Sequence, residues 1–134
     1  MVRGVTGGMV LQLHAGVAMA HEEMEVWQRA VDLVAEVYRL TRRLPKDESA
    51  NLISQMRRAV ASIPANIAEG NARAHSREYL HFLSIARGSL AELDTHLECA
   101  RRVGYLNSSD LVTARQLSVR VAQMLARLAA RLSR

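Results

Sequence analysis

The chain of 134 residues is poor in several residue types. Its single cysteine, Cys99, cannot form a disulfide within the chain, which excludes a disulfide-stapled scaffold and suits a reducing compartment. Two prolines and seven glycines supply few turns, and only five residues are aromatic, which is atypical of a β-sheet protein. No stretch is long and apolar enough to span a bilayer. The composition predicts one cytoplasmic, helical domain that does not associate with membranes.

Lysine is also nearly absent, because Lys46 is the only one among 18 basic residues and the others are arginines. Guanidinium groups bind phosphate and carboxylate through paired hydrogen bonds, whereas lysine acts as a point charge. GC-rich coding DNA alone would also favour arginine, so position is more informative than number. The net charge is +5, yet residues 101–134 carry seven arginines against Asp110. This concentration in the last helix favours a polyanionic partner.

Residues suited to catalysis or cofactor binding are scarce. The sequence has no glycine-rich phosphate loop, no nucleophile elbow and no Cys–His pair. Glu92 and His96 have the spacing of ligands one helical turn apart, but two ligands do not make a metal site. The sequence therefore predicts a protein that is not an enzyme and takes no metal, cofactor or small-molecule substrate.

Helical periodicity is the main pattern that is present. It predicts helices over residues 22–43, 47–71, 76–103 and 110–132, separated by short breakers. Short connections favour an all-α, antiparallel up-down-up-down four-helix bundle of either hand. The predicted core stripes are Trp27, Ala30, Val31, Val34, Val37, Tyr38 and Thr41; Leu52, Met56, Ala59, Val60, Ile63 and Ile67; Tyr79, Leu83, Ala86, Leu90, Leu93, Leu97 and Ala100; and Leu111, Ala114, Leu117, Val121, Leu125, Leu128 and Leu132.

The first helix carries a second apolar stripe beside its predicted core stripe. Val26, Leu33, Leu40 and Leu44 widen its apolar arc to nearly half the circumference. Such a wide arc indicates contacts beyond a single intramolecular core, as in an oligomer.

Residues 1–21 are predicted to be a poorly ordered leader, followed by the bundle at 22–134. Their apolar run and the Ala-Met-Ala sequence at 18–20 resemble a secretory signal, but Gln12 and His14 interrupt the run. The alternative is an over-extended start, with translation beginning at Met19 or Met24.

The run from Ser54 to Gly70 carries a proline inside a helical pattern. Pro64 lacks an N–H and clashes with the Val60 carbonyl, so we expect a kink at a cost of about 3 kcal/mol. A break at Ile63, with the helix restarting at Pro64, is the alternative. The outer sides of this helix and of the third helix carry small residues, which predicts packing against other subunits through Arg57, Arg58, Ala61, Ala65, Ala68 and Gly88.

Arg57 and Arg58 have two interpretations. They pair with acids such as Glu69, or with a carboxylate of another subunit, or else they join a basic surface. The packed character of their helix favours the structural role.

One face of the last helix forms the clearest candidate binding site. No acidic residue follows Asp110, so nothing on this helix neutralises its arginines. Their spacing of about 10 Å per two turns suits successive phosphates, and few aromatics are available for base stacking, so we expect sequence-tolerant contact with a nucleic-acid backbone. An ordinary solvated face is the alternative. The candidate residues are Gln116, Arg120, Gln123, Arg127, Arg131 and Arg134.

Several segments resemble the 23S rRNA-intervening sequence protein family, which is similar to the accessory variability determinant proteins of diversity-generating retroelements. They are residues 26–30 (VWQRA), 37–41 (VYRLT), 54–70, 78–83 (EYLHFL), 85–90 (IARGSL) and 104–106 (GYL). The resemblance spans about Met24 to Leu132. It implies a four-helix bundle, a ring-like homo-oligomer (a pentamer) and nucleic-acid binding, with no enzymatic reaction. Two other hypotheses stay open: an accessory subunit that docks onto a reverse transcriptase, and a purely structural oligomer.

Overall fold

A computed structural model describes residues 12–13 and 17–134, with side chains described from Met19 onward. This part contains four α-helices: α1 (His21–Thr41), α2 (Ser54–Asn71), α3 (Ser76–Arg102) and α4 (Val112–Leu132). Two short strands, β1 (Gln12–Leu13) and β2 (Val17–Ala18), pair antiparallel ahead of α1. The predicted helical class is confirmed. No helix in the described ranges combines the length and apolar character needed to cross a bilayer.

The start of α1 is fixed by its own acidic residues. The backbone N–H of Ala20 donates to Oε1 of Glu23 at 3.1 Å, and Glu22 and Glu23 lie at the positive end of the helix. Met19, inside the predicted leader, is buried in the core, so the packed domain includes at least this residue. Most of the predicted 1–21 leader lies outside the described residues.

The core-facing side of α1 combines residues of the two predicted stripes. The second stripe, including Val26, Leu33 and Leu40, is fully buried, whereas Val31 is 38% exposed. Trp27 is only partly buried. Ala30, Val37 and Thr41 of the predicted core stripe are buried as well, so the core takes residues from both stripes. The wide apolar arc is covered within the chain and does not itself indicate contact with another subunit.

The second predicted helix begins later than expected. A 3₁₀ turn (Lys46–Glu48) and a wider π turn (Ser49–Ile53) precede α2 instead of regular helix from Asp47. From Ser54 onward α2 continues through Pro64, so the alternative break at Ile63 is wrong. Every predicted core residue of α2 from Met56 to Ile67 is buried.

Helices α2 and α3 pack closely. A Cβ placed on Gly70 would lie 2.8 Å from Cδ1 of Tyr79 and 2.9 Å from Cβ of Phe82, so only glycine fits there. Farther along the contact, the hydroxyls of Ser62 and Ser89 are 2.8 Å apart, and the Asn66 side chain donates to the Ser62 carbonyl oxygen at 2.8 Å. All seven residues of the predicted α3 seam are buried.

Gly104 and Asn107 shape the turn between α3 and α4. Gly104 has φ +88°, the left-handed conformation predicted for the stop of α3. Asn107 and Asp110 then cap a 3₁₀ turn (Ser108–Leu111) reciprocally, each side chain accepting the other's backbone N–H.

The packing of α4 follows the prediction in part. Leu117 and Leu132 are only partly buried, whereas Ser118 and Met124, which were not predicted, are buried. The Ser118 hydroxyl donates to Oδ1 of Asp94 on α3 at 2.7 Å. A polar residue can occupy this core position because Asp94 on α3 accepts its hydrogen bond.

Candidate nucleic-acid interface

The predicted basic face of α4 lies on the outside of the bundle. Gln116, Arg120, Gln123, Arg127 and Arg134 are exposed, while the opposite side of the helix is buried. No aspartate or glutamate occurs between Val112 and Leu132. The helix therefore presents guanidinium groups that no acidic residue of α4 itself neutralises.

Arg131 departs from this pattern because α1 lies beside the end of α4. Its Nη2 donates to Oε2 of Glu23 at 2.8 Å, and its Nη1 donates to Glu22. The prediction that nothing neutralises Arg131 is wrong. The sequence of α4 contains no acidic residue, but Glu22 and Glu23 of α1 pair with Arg131. Arg131 joins α1 to α4.

Arg120 has a looser acidic neighbour. Its Nη2 lies 3.4 Å from Oε2 of Glu25, and both side chains are 46% exposed. A solvated pair of this kind contributes at most about 1 kcal/mol. Most donors of Arg120 stay accessible to another anion.

Arg127 and Arg134 are the most available arginines of this face. Neither has a carboxylate within ion-pair distance in the described part of the chain. The helical rise separates Arg120 from Arg127 by about 10 Å along the axis, whereas Arg134 lies two positions beyond Leu132, the last residue of α4. This pair, with Arg120 one heptad earlier, forms the α4 basic face.

A second basic group lies where the end of α3 meets the start of α4. Arg101, Arg102 and Arg115 all donate to Glu98. The spacing of Glu98 with Arg101 and Arg102 predicts helical ion pairs. Arg115, by contrast, follows Glu98 by 17 positions, so no sequence pattern reveals its contribution.

Arg57 has a structural environment inside one chain. Its Nε donates to Oγ1 of Thr41 at 2.9 Å, and its guanidinium lies 4.5 Å from the centre of the Tyr38 ring. The pairing with Glu69 is wrong, because Glu69 accepts a hydrogen bond from Arg73 at 2.7 Å. Arg57 therefore links α1 and α2.

The other residues predicted to contact a second subunit lie at or near the surface of this chain. Arg58, Ala61, Ala65 and Gly88 are exposed, and Ala68 is partly buried. A Cβ at Gly88 would meet nothing within 4 Å. The geometry leaves this small face accessible, and its role in assembly stays a prediction.

The candidate metal pair forms a local contact. Nε2 of His96 lies 3.3 Å from Oε2 of Glu92. No third His, Cys, Asp or Glu completes an ion site there or anywhere else in the ranges that the structure covers.

Two comparisons identify similar proteins. A family model described as 23S rRNA-intervening sequence protein matches residues 22–127. A crystal structure of a protein of unknown function from the S23 ribosomal protein family of Bacteroides thetaiotaomicron is similar, with a TM-score of 0.75 and 19% identity. The match covers 81% of this chain and 98% of that chain, and at this identity it shows the fold. No curated protein matches the chain.

Proposed function

Because the chain belongs to the 23S rRNA-intervening sequence protein family, we propose that it is a non-enzymatic, oligomeric helical bundle that binds the backbone of RNA or DNA. The observation that carries the proposal is the α4 basic face, where Arg127 and Arg134 are exposed and have no carboxylate partner among the described side chains. The association of the family name with ribosomal RNA supports a nucleic-acid partner. We place the protein in the cytoplasm, where Cys99 stays reduced.

The mode of binding follows from the chemistry of this face. Exposed guanidiniums release counterions when they contact phosphates, which supplies affinity without reading sequence. Gln116 and Gln123 add neutral donors for phosphate or sugar oxygens. Arg127 and Arg134 act as the main contacts and Arg120 as a weaker one, while Arg131 contributes least because its charge is neutralised by α1.

We propose that the bundle has up-down-up-down topology with a kink at Pro64. Contacts between the consecutive helices α3 and α4 support antiparallel neighbours. Ser118 meets Asp94, whereas Arg115, three positions before Ser118, meets Glu98, four positions after Asp94. Pro64 removes one backbone hydrogen bond inside α2, and the Asn66 side chain contacts the backbone beside it.

Self-association into a ring, as a pentamer, would multiply the α4 basic face. Small exposed residues allow helices of two subunits to approach closely, and the proposed contacts are Arg58, Ala61, Ala65, Ala68 and Gly88 with Arg57 beside them. Several copies of one weak site raise avidity for an extended polyanion.

The test is a titration of labelled RNA and DNA duplexes at two salt concentrations. R127Q/R134Q should weaken binding by about tenfold at low salt and lower the slope of log affinity against log salt by about two. The matched control is R77Q/R87Q, which removes the same charge from exposed positions of α3. Equal affinities for the two double variants would reject the α4 basic face.

A second function uses the same surface differently. An accessory subunit of a diversity-generating retroelement would dock onto a reverse transcriptase or its ribonucleoprotein, as the sequence resemblance implies. Such a subunit would bind the purified transcriptase without nucleic acid, whereas the proposed function predicts that nuclease treatment abolishes any association. A purely structural oligomer would bind neither partner at low salt.

A further inference from the structure

Glu98 gathers three arginines from two helices. Its Oε1 accepts from Nε of Arg101 at 3.1 Å and from Nη2 of Arg115 at 2.9 Å. Its Oε2 accepts from Nη2 of Arg101 at 2.7 Å and from Nε of Arg102 at 2.9 Å. One carboxylate therefore fixes the orientation of three guanidiniums, which we call the Glu98 cluster.

The charge of the Glu98 cluster is not balanced. Three arginines against Glu98 and Asp94, which lines the same grooves as Arg102 and Arg115, leave a net charge of +1. The same three donors hold the pKa of Glu98 far below its usual range, so the carboxylate stays ionised and keeps its partners in place. An excess of oriented positive charge distinguishes this group from an ordinary ion pair.

Most hydrogen-bond donors of the cluster face solvent. The side chains of Arg102 and Arg115 are 73% and 50% exposed. Each directs one N–H to Glu98, and a guanidinium offers several more in a planar fork. These remaining N–H groups can donate to a second anion without breaking the contacts to Glu98.

The Glu98 cluster is continuous with the α4 basic face. Arg115 lines a shallow groove together with Gln116, Arg120 and Gln123. From Arg115 to Leu132, where the helix ends, the path follows α4 for about 25 Å, at 1.5 Å per residue, and Arg134 lies two positions beyond. Arg102 extends the path onto α3, at the edge of a second groove that Asp94 and Glu98 also line.

A purely structural role explains less of this arrangement. A single arginine would be enough to tie α3 to α4, and the Ser118–Asp94 hydrogen bond already links the two helices. Arg102 belongs to the same helix as Glu98, so its contact joins no separate elements. Its outward fork is available for an external ligand.

We propose that the Glu98 cluster is a second phosphate-binding site, which receives the nucleic-acid backbone as it leaves the α4 basic face. The inference rests on the proposed function and extends it to a surface shared by α3 and α4. Arg102 and Arg115 contact the phosphates. Glu98 is a positioning residue that holds their guanidiniums toward solvent.

The first test uses three double variants with equal loss of charge. Binding of a labelled duplex of about 30 base pairs is measured for R102Q/R115Q, R127Q/R134Q and the control R77Q/R87Q at two salt concentrations. R102Q/R115Q should weaken binding by about tenfold and lower the salt slope by about two relative to wild type. Affinity equal to that of the control overturns the inference. Circular dichroism confirms that each variant is helical.

The second test separates positioning from simple charge. E98Q makes the protein more positive by one unit, so electrostatic attraction alone predicts tighter binding. If Glu98 positions the arginines, E98Q binds several-fold more weakly despite its greater positive charge. Unchanged or tighter binding overturns the role of Glu98. E92Q, which removes an exposed carboxylate from the same helix, is the matched control.

The outcomes distinguish this inference from the proposed function. If R127Q/R134Q weakens binding and R102Q/R115Q matches the control, the α4 basic face stands and the Glu98 cluster is rejected. If only R102Q/R115Q weakens binding, the Glu98 cluster stands and the α4 basic face is rejected. A wild-type protein that binds neither duplex at low salt overturns both.

Discussion

Arg131, in the last turn of α4, donates to Oε2 of Glu23 in the first turn of α1 at 2.8 Å. The Glu23 carboxylate is only 10% exposed and also accepts the backbone N–H of Ala20 through its other oxygen. The Glu23 carboxylate thus caps the first turn of α1 and links it to the end of α4. This contact joins parts of the chain that are 108 positions apart.

Replacing Arg131 should therefore reduce stability more than replacing another arginine of α4. R131A leaves the mostly buried Glu23 without its charged partner, at an expected cost of about 1–2 kcal/mol. Urea unfolding followed by circular dichroism measures the change. R127A, at an exposed position, should change stability by less than about 0.5 kcal/mol. If both variants unfold at the same urea concentration, the contact contributes nothing.

Gly70 and Gly88 should respond in opposite directions to the same substitution. G70A places a methyl group against Tyr79 and Phe82 and should destabilise the protein by about 1–3 kcal/mol, despite the better helix propensity of alanine. Within its own subunit, G88A meets open space and should stabilise the helix by up to about 1 kcal/mol. Thermal unfolding at matched concentration tests both. A stable G70A protein would contradict the close approach of α2 and α3.

Assembly should depend on the small face of α2. A65R introduces a long charged side chain at an exposed position predicted to contact another subunit, so light scattering should show a lower mass than wild type. A35R, on the outer side of α1, is the control and should keep the wild-type mass. An unchanged mass for A65R, with normal helical content, would place the subunit contact elsewhere.

Acid should destabilise the end of the bundle where Glu98 and Asp110 lie. The Asn107 backbone N–H and Arg43 lower the pKa of Asp110, and three arginines lower that of Glu98. Because both folded-state pKa values are below the unfolded values of about 4, their contribution is complete above that pH and is lost as pH falls through the folded-state values. Urea unfolding of wild type at pH 7 and pH 3 should show this loss.

The matched variants identify which carboxylates cause the acid effect. D110N and E98Q should each be less stable than wild type at pH 7 and should show a smaller difference between the two pH values. E92Q should keep the wild-type difference. If D110N and E98Q also keep it, other groups control the acid response.

The helices differ in how far their sequences alone predict their buried faces, for physical reasons. On α3 one apolar stripe dominates, so its seven buried positions were predictable. On α1 two neighbouring stripes are comparably apolar and both supply buried residues, so which positions of the wide arc become exposed depends on the other helices. The first turns of α2 also depend on context, because the segment at 46–53 adopts tight and wide turns before regular helix begins.

Of the candidate site, only the exposed face of α4 could be predicted from the sequence. The exposed face of α4 follows from periodicity, since arginines and glutamines alternate with a leucine-rich stripe. Neutralisation of Arg131 by Glu22 and Glu23, and the meeting of Arg115 with Glu98, join residues that are far apart in the chain. Local patterns contain no information about such pairs, which depend on how the helices pack.

The Ser118 hydroxyl has a consequence for the uniqueness of the fold. Leucine and alanine side chains interchange easily, so an apolar seam alone would tolerate sliding of α4 along α3 by one helical turn. In such a shifted arrangement the buried hydroxyl would lose Asp94, whose Oδ1 it meets at 2.7 Å in the native state. Together with the Arg115–Glu98 ion pair, this polar contact favours one axial alignment of the two helices, as a buried polar residue does in a coiled coil.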